Sequence, residues 1–127
     1  MAHARLEHAN VTVTDPKATA AWMTRVFGWK TRWEGPGMQT GYTVHVGEED
    51  SYLALFSYGD PPAAKTSSYR TKAGLNHLAV VVDDLDAIEA KVKVEGFTPG
   101  SHADYEPGRR FYFEDGDGVE FEVVSYD

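Results

Sequence analysis

The sequence of 127 residues contains no cysteine, and it has no long apolar run. Without cysteine the chain can form neither a disulfide framework nor a metal site with thiolate ligands. No apolar stretch approaches the ~20 residues that a membrane-spanning helix requires. The first ten residues, MAHARLEHAN, lack the basic and apolar regions of a secretory signal. We therefore expect no membrane association and a cytoplasmic location.

Basic residues are also few. The sequence has 12 lysines and arginines and 20 aspartates and glutamates, which gives a net charge of −8. Nucleic-acid binding needs a basic surface that displaces counterions from phosphates, so this charge disfavours a nucleic-acid partner. The hydrophobic content of 42% is ordinary for one globular domain of this length.

The chain contains an internal repeat with a period of 68 to 69 residues. The stretch HANVTVTD at 8–15 recurs as HLAVVVDD at 77–84. Gly28 is then matched by Gly96, and YLAL at 52–55 by EFEV at 120–123. Three matched motifs in the same order predict one domain of two repeats, at 1–57 and 75–127, joined by a linker at 58–74.

Each repeat is predicted to have the order βαβββ. Period-2 alternation in the first stretch indicates a strand, and Asp15-Pro16 and Asp84 are typical helix starts. Gly28 and Gly96 are typical helix ends. The remaining strands are predicted at about 30–33, 41–47 and 51–57 in the first repeat and at about 97–101, 109–114 and 119–125 in the second.

Strand alternation predicts which side chains share a face. The strongly apolar sets pack beneath the helices, so His8 and His77 should both lie on the other face of the sheet. Glu122 should lie on that face too, with Ala54 at the equivalent place in the first repeat and Tyr112 paired near Glu122. Two imidazoles and a carboxylate are ligands that suit Fe(II), Mn(II), Ni(II) or Zn(II).

These motifs resemble those of the vicinal oxygen chelate superfamily, which includes glyoxalases, bleomycin-resistance proteins and ring-cleaving dioxygenases. HANVTVTDPKATAAWMTRVFGWK is similar to the family's opening strand and helix, and FYFEDGDGVEFEVV to its closing hairpin. The resemblance implies an α+β fold in which paired βαβββ modules form a cup-shaped mixed β-sheet with helices on the outer face. It also implies a homodimer.

The resemblance further implies that the metal ligands are His8, His77 and Glu122. Ala54 stands where glyoxalases place a fourth ligand, which weakens a glyoxalase assignment. Two histidines, one glutamate and a tyrosine ten residues earlier, here Tyr112 as the catalytic residue, match the extradiol dioxygenases. Fe(II) is the favoured metal. The family's additional acid–base histidine has no clear counterpart.

The leading hypothesis is a metal-dependent enzyme, dioxygenase-like, that acts on a small hydrophobic or aromatic molecule. The alternatives are a glyoxalase-like isomerase or lyase and a metal-free protein that binds a drug or antibiotic. The substrate pocket is predicted on the face of the histidines, with aromatic and apolar side chains from the first repeat: Tyr42, Val44, Tyr52, Ala54 and Phe56.

Several other residues have plainer interpretations. We expect Glu120 to be a charge at the rim, His45 to lie at a strand end and His102 to lie in a loop. Arg109 and Arg110 could bind a substrate carboxylate, but a solvated strand start is the preferred interpretation.

Overall fold

A computed structural model describes residues 3–37, 39–64, 69–105 and 107–127 of the chain. By its contacts the chain divides into two compact units, Met1–Ala63 and Ala64–Asp127. Each unit has one four-stranded mixed sheet and one α-helix in the order βαβββ, which confirms the predicted α+β class. Neither helix of the described residues is long and apolar enough to span a membrane.

The first unit consists of β1 (His8–Thr12), α1 (Pro16–Phe27), β2 (Lys30–Pro36), β3 (Tyr42–Gly47) and β4 (Tyr52–Ser57). The strands lie in the order β1-β4-β3-β2, with β1 parallel to β4 and the other neighbours antiparallel. Helix α1 packs on one face of this sheet, where Val11, Val44 and Leu55 are buried beneath it.

The second unit repeats this arrangement with β5 (Leu78–Val81), α2 (Leu85–Val94), β6 (Gly100–Tyr105), β7 (Gly108–Glu114) and β8 (Glu120–Ser125). The strand order is β5-β8-β7-β6, and β5 is parallel to β8. The core on the helix side is aromatic, since Phe111, Phe113 and Phe121 are buried there beside Val123.

The helix ends follow the sequence signals. The Asp15 carboxylate accepts hydrogen bonds from the backbone N–H groups of Lys17 and Ala18, both at 3.1 Å, and proline occupies the first helical position. Gly28 ends α1 in the left-handed conformation at φ 73°. The Asp84 carboxylate caps α2 through the backbone N–H of Ala87 at 3.0 Å.

Two strands differ from their predicted positions. β2 extends to Pro36, three residues beyond the prediction, because an edge strand tolerates glycine and proline and a bulge after Thr31 keeps it paired with β3. β6 begins at Gly100 instead of residue 97. Phe97 follows the helix and stacks its ring on Phe113 at 5.8 Å between centroids, so it joins the core.

Candidate functional site

The face of each sheet opposite its helix, here called the helix-free face, carries most of the predicted site residues. In the second sheet Arg109 lies on the helix side, where its guanidinium pairs with Asp86 of α2 at 2.9 Å. Its neighbour Arg110 therefore lies on the helix-free face. The register pairs Tyr112 with Glu122 on that same face, as the sequence predicted.

Glu122 is the centre of a polar network on this face. Its Oε1 atom lies 3.0 Å from Nε2 of His77, and its Oε2 atom accepts a hydrogen bond of 2.7 Å from Nη1 of Arg110. The side chains of Glu122 and Arg110 are only 10% and 11% exposed. The prediction that Arg110 is a solvated residue is therefore wrong, because its charge is used to compensate a buried carboxylate.

Tyr112 completes the surroundings of Glu122. Its ring meets the His77 ring edge to face at 5.7 Å between centroids. Burial raises the pKa of its hydroxyl, and the nearby negative charge of Glu122 and a hydrogen bond to that carboxylate raise it further. The hydroxyl consequently keeps its proton at neutral pH and acts as a hydrogen-bond donor.

The other ring nitrogen of His77 has its own partners. Nδ1 lies 3.4 Å from the hydroxyl of Tyr69 and 3.6 Å from Oε2 of Glu120. The Tyr69 hydroxyl donates a short hydrogen bond to the same Glu120 oxygen, and this bond raises the pKa of Tyr69 to about 12. Glu120, predicted as a rim charge, is thus part of the surroundings of His77.

The helix-free face of the first sheet presents His8. The His8 Nδ1 atom lies 2.9 Å from Oε1 of Glu7, and the Tyr52 hydroxyl donates to that oxygen at 3.2 Å. These two hydrogen bonds lower the pKa of the Glu7 carboxyl. The His8 ring also stacks on the ring of Tyr52, its partner in the parallel register, at 4.9 Å between centroids.

His45 was missed as a candidate site residue. It lies within β3, opposite Ala54, so the prediction that it sits at a strand end is wrong. Its ring stacks on Tyr52 at 4.7 Å and lies 6.4 Å from the ring of His8, and the tilted ring of Trp33 lies 5.3 Å away. Its place between Val44 and Val46, which are both buried on the helix side, was a signal that it lies on the opposite face, the helix-free face that carries His8.

Burial lowers the pKa of the His45 imidazole, and the charges of His8 and Arg32 lower it further, against a raising effect of Glu7. The guanidinium of Arg32 lies over the Tyr52 ring at 4.4 Å. The first helix-free face is thus a row of rings with a neutral imidazole at its centre.

Two of the five predicted pocket residues lie on the other face of the first sheet. The register pairs Val44 with Leu55, and both side chains are buried on the helix side. Tyr42 is also on that side, because Nζ of Lys17 in α1 lies 5.1 Å from its ring centre. Tyr52, Ala54 and Phe56 face away from the helix, paired with His8, Asn10 and Thr12.

His102 is not in a loop but in β6, where its Nε2 atom lies 2.9 Å from Oε2 of Glu89 in α2. This histidine–carboxylate pair lies on the helix side and is separate from the predicted site. Its distance is close to the 3.0 Å between His77 and Glu122, so it is a matched control for that pair.

A cavity of about 540 Å³ opens in the second unit beside the network. Tyr112 and Glu120 line it together with Glu114, Gly100 and Ser101. Among the described side chains, no group of three or more histidines and carboxylates could hold a metal ion. In the second unit His77 and Glu122 form a pair of possible ligands, and Glu120 lies near Nδ1, the other ring nitrogen of His77.

The chain matches the sequence model of one known protein family. A sequence model of the glyoxalase/bleomycin resistance protein/dioxygenase superfamily matches residues 5–123. No curated protein matches the chain significantly.

Solved structures share the fold at low sequence identity. A glyoxylase/bleomycin resistance protein/dioxygenase domain from Frankia sp. EAN1pec has a TM-score of 0.82 at 22% identity, covering 99% of this chain and 100% of that chain. TnmS3, an antibiotic binding protein from Streptomyces sp. CB03234, has a TM-score of 0.75 at 20% identity, covering 100% and 99%. A mutant of the fosfomycin resistance protein FosX from Listeria monocytogenes, complexed with Mn(II) and 1S,2S-dihydroxypropylphosphonic acid, has a TM-score of 0.76 at 16% identity, covering 100% and 95%.

Proposed function

Because the chain belongs to the glyoxalase/bleomycin resistance protein/dioxygenase superfamily, we propose that it is a metal-dependent enzyme. Its substrate is a small hydrophobic or aromatic molecule with two adjacent oxygen atoms. From the sequence resemblance, the proposed ligands are His8, His77 and Glu122. The observation that carries this proposal is the distance of 3.0 Å between Nε2 of His77 and Oε1 of Glu122.

That distance fits two ligands of one metal ion. Nitrogen and oxygen ligands at about 2.1 Å from a metal, bonded at right angles, lie about 3 Å apart. The second oxygen of Glu122 is held by Arg110 at 2.7 Å, which fixes the carboxylate and leaves its first oxygen directed at His77. Hydrogen bonds of this kind to the far atoms of ligands are typical of metal sites.

The Nδ1 atom of His8, like that of His77, has a hydrogen-bonding partner. It is engaged by Glu7, so the Nδ1 hydrogen is donated to a carboxylate and the Nε2 lone pair is free to bind a metal. Two imidazoles and one carboxylate favour Fe(II), and Mn(II), Ni(II) and Zn(II) also suit them. The complex of FosX with Mn(II) supports a divalent ion in this family.

A bound metal would supply open positions for two adjacent substrate oxygens and would favour their deprotonated form. Tyr112 is the proposed catalytic residue. Its hydroxyl stays protonated beside Glu122, so it can donate a hydrogen bond to a substrate oxygen or pass it a proton. From the sequence, Tyr52, Ala54 and Phe56 are the proposed apolar surface for the substrate. A dioxygenase reaction is the first choice, and an isomerase or lyase reaction is the second.

A metal-free binding protein is the alternative, and one contact favours it. The ion pair of Arg110 with Glu122 already compensates the buried carboxylate, so the fold does not need a cation at that position. The similarity to the antibiotic binding protein TnmS3 supports a role in binding a drug-like molecule.

Metal analysis of protein purified without chelator separates the two functions. The enzyme proposal predicts about one divalent ion per chain, and the ion should be lost in His77→Ala, Glu122→Gln and His8→Ala. His102→Ala is the matched control, since His102 also pairs with a glutamate at 2.9 Å, and it should keep the metal. Wild-type protein that takes up no ion under any condition would support the binding protein instead.

Oxygen uptake with a panel of catechols then tests the type of reaction. A dioxygenase should consume oxygen with at least one catechol, and Tyr112→Phe should slow the turnover while the metal stays bound. If no catechol of the panel leads to oxygen uptake, the dioxygenase proposal is contradicted. Isomerisation of glutathione adducts would instead support a glyoxalase-like reaction despite Ala54.

We also propose, from the sequence resemblance, that the protein works as a homodimer in the cytoplasm. Sedimentation of the purified protein across a range of concentrations tests the first part. A mass of one chain at every concentration would contradict it.

A further inference from the structure

The cavity of the second unit is lined by aromatic and acidic side chains. Its volume of about 540 Å³ lies within the range of small-molecule sites. The rings that line it belong to Phe97, Tyr112 and Phe113, and the carboxylates to Glu114, Asp115 and Glu120. No lysine, arginine or histidine is among the described residues that line it. The cavity therefore favours a positively charged occupant and disfavours an anion.

Two of these carboxylates oppose each other across neighbouring strands. The register pairs Glu114 of β7 with Glu120 of β8, and both lie on the helix-free face because Glu122, two positions further on, does. Like charges in directly opposed positions destabilise a sheet. The equivalent pair in the first unit is Gly47 with Tyr52. The backbone arrangement of the repeat therefore does not require the two carboxylates.

The third carboxylate, that of Asp115, has a structural role. It accepts hydrogen bonds of 3.0 Å from the backbone N–H groups of Asp117 and Val119 in the turn that follows. Among the described residues, the carboxylates that line the cavity belong to no group that could hold a metal ion. An organic cation is therefore a better occupant beside Glu114 and Glu120 than an inorganic ion.

Gly100 keeps the cavity open beside the Tyr112 ring. It pairs with Tyr112 as Trp33 pairs with His45 in the first unit, where the two ring centroids are 5.3 Å apart. A Cβ atom added to Gly100 would meet nothing within 4 Å, and Gly100 is not among the glycines with positive φ. Neither crowding nor backbone conformation requires glycine here, so the open space is what this residue provides.

We propose that this cavity binds a small organic cation, with its charge beside Glu114 and Glu120 and its apolar part against the aromatic lining. Aromatic rings attract cations through the negative charge of their faces, so the rings and the carboxylates act in the same direction. The inference goes beyond the proposed function, because it concerns an amine or a related cation in the cavity and requires no metal. It applies to an enzyme and to a binding protein alike.

Titration of metal-free protein with two cations tests this inference. Proflavine, a flat aromatic cation at neutral pH, is followed by its fluorescence, and the smaller benzylammonium is followed by calorimetry. Glu114→Gln should weaken the binding of both by about tenfold, because it removes a charged partner from a polar contact. Glu49→Gln is the matched control, since it changes the net charge equally at an exposed position, and it should bind both cations as wild type does.

Gly100→Trp should weaken the binding of both cations at least as much, because an indole would occupy the cavity. Thermal unfolding of each variant checks the fold, and Glu114→Gln should raise the Tm of the ligand-free protein because it removes one of two opposed charges. The inference is wrong if neither cation binds saturably to wild-type protein. It is also wrong if Glu114→Gln binds both cations as tightly as Glu49→Gln does, or if fluorescein, a flat aromatic anion, binds as tightly as proflavine.

Discussion

The two repeats share one backbone arrangement but carry different side chains on their helix-free faces. In the second sheet the helix-free face pairs Tyr112 with Glu122 and Arg110 with Val124. The equivalent pairs of the first sheet are His45 with Ala54 and Thr43 with Phe56. The second repeat therefore carries a compensated pair of charges where the first carries a small apolar side chain and a threonine.

The difference shows that the strand register is kept in both repeats while the side chains of the helix-free face change. On the helix side the two sheets stay alike, with Val44 and Leu55 paired in one and Phe111 and Val123 in the other. On the helix-free face both repeats have a histidine at the first strand, whereas the paired positions compared above differ. The polar residues of the second repeat, and not its fold, give it two of the three proposed metal ligands.

Ala54→Glu is the most disruptive way to test this comparison. It puts a carboxylate at the position equivalent to Glu122, but Thr43 stands where Arg110 would compensate it. Ala54 is 2% exposed, so the uncompensated charge should reduce the free energy of unfolding by about 3 kcal/mol. Chemical denaturation measures the loss.

Two further variants control that experiment. Ala54→Gln has the same size without the charge and should lose less stability. The double variant Ala54→Glu with Thr43→Arg should recover part of the loss, because it rebuilds the pair of the second sheet. Equal stability of the glutamate and glutamine variants would contradict the role assigned to the charge.

Arg110→Gln should have the next largest effect. It leaves the Glu122 carboxylate without its cation, so the metal-free protein should lose several degrees in Tm and should gain more from added Zn(II) than wild type does. Arg109→Gln is the control, because its ion pair with Asp86 lies at the surface, where such pairs contribute little. Identical thermal scans for the two variants would show that Arg110 is not needed to hold Glu122.

His45→Phe should have the smallest effect and concerns pH. Because the folded pKa of His45 is lowered, the unfolded chain binds a proton first as the pH falls. Stability from this group is present above the ordinary histidine pKa of about 6.5 and is lost on acidification below it. His45→Phe keeps the stacked ring without the titration, so its stability should decline less over that range than the stability of wild-type protein.

The control for the pH experiment is Tyr112→Phe, the equivalent substitution in the second sheet. Tyr112 does not titrate near neutral pH because its pKa is raised. Its variant should therefore keep the acid sensitivity of wild type. If His45→Phe and wild-type protein lose the same stability on acidification, protonation of His45 does not contribute to the pH dependence.

Much of the fold could be predicted because its signals are local. Asp15, Pro16 and Gly28 act on adjacent backbone atoms, and the alternation around His8 needs no knowledge of distant partners. The face shared by Tyr112 and Glu122 was also predictable, since a tight turn between their strands determines the register.

The errors arose where a longer turn or a distant contact decides the outcome. The pocket residues Tyr42 and Val44 do share a face, as their spacing of two predicts, but only the register that pairs Val44 with Leu55 shows that this face is the helix side. Tyr69 lies in a segment without periodicity, so its contact with Glu120 has no local signal. The burial of Arg110 depends on Glu122, twelve positions away.

Absorption titration with Co(II) tests the central claim most directly, because the spectrum reports the ligands of the ion itself. We predict visible bands for wild-type protein and for His102→Ala, and their loss in both His77→Ala and Glu122→Gln. Unchanged bands in these two variants would place the metal elsewhere and would contradict the assignment of His77 and Glu122 as its ligands.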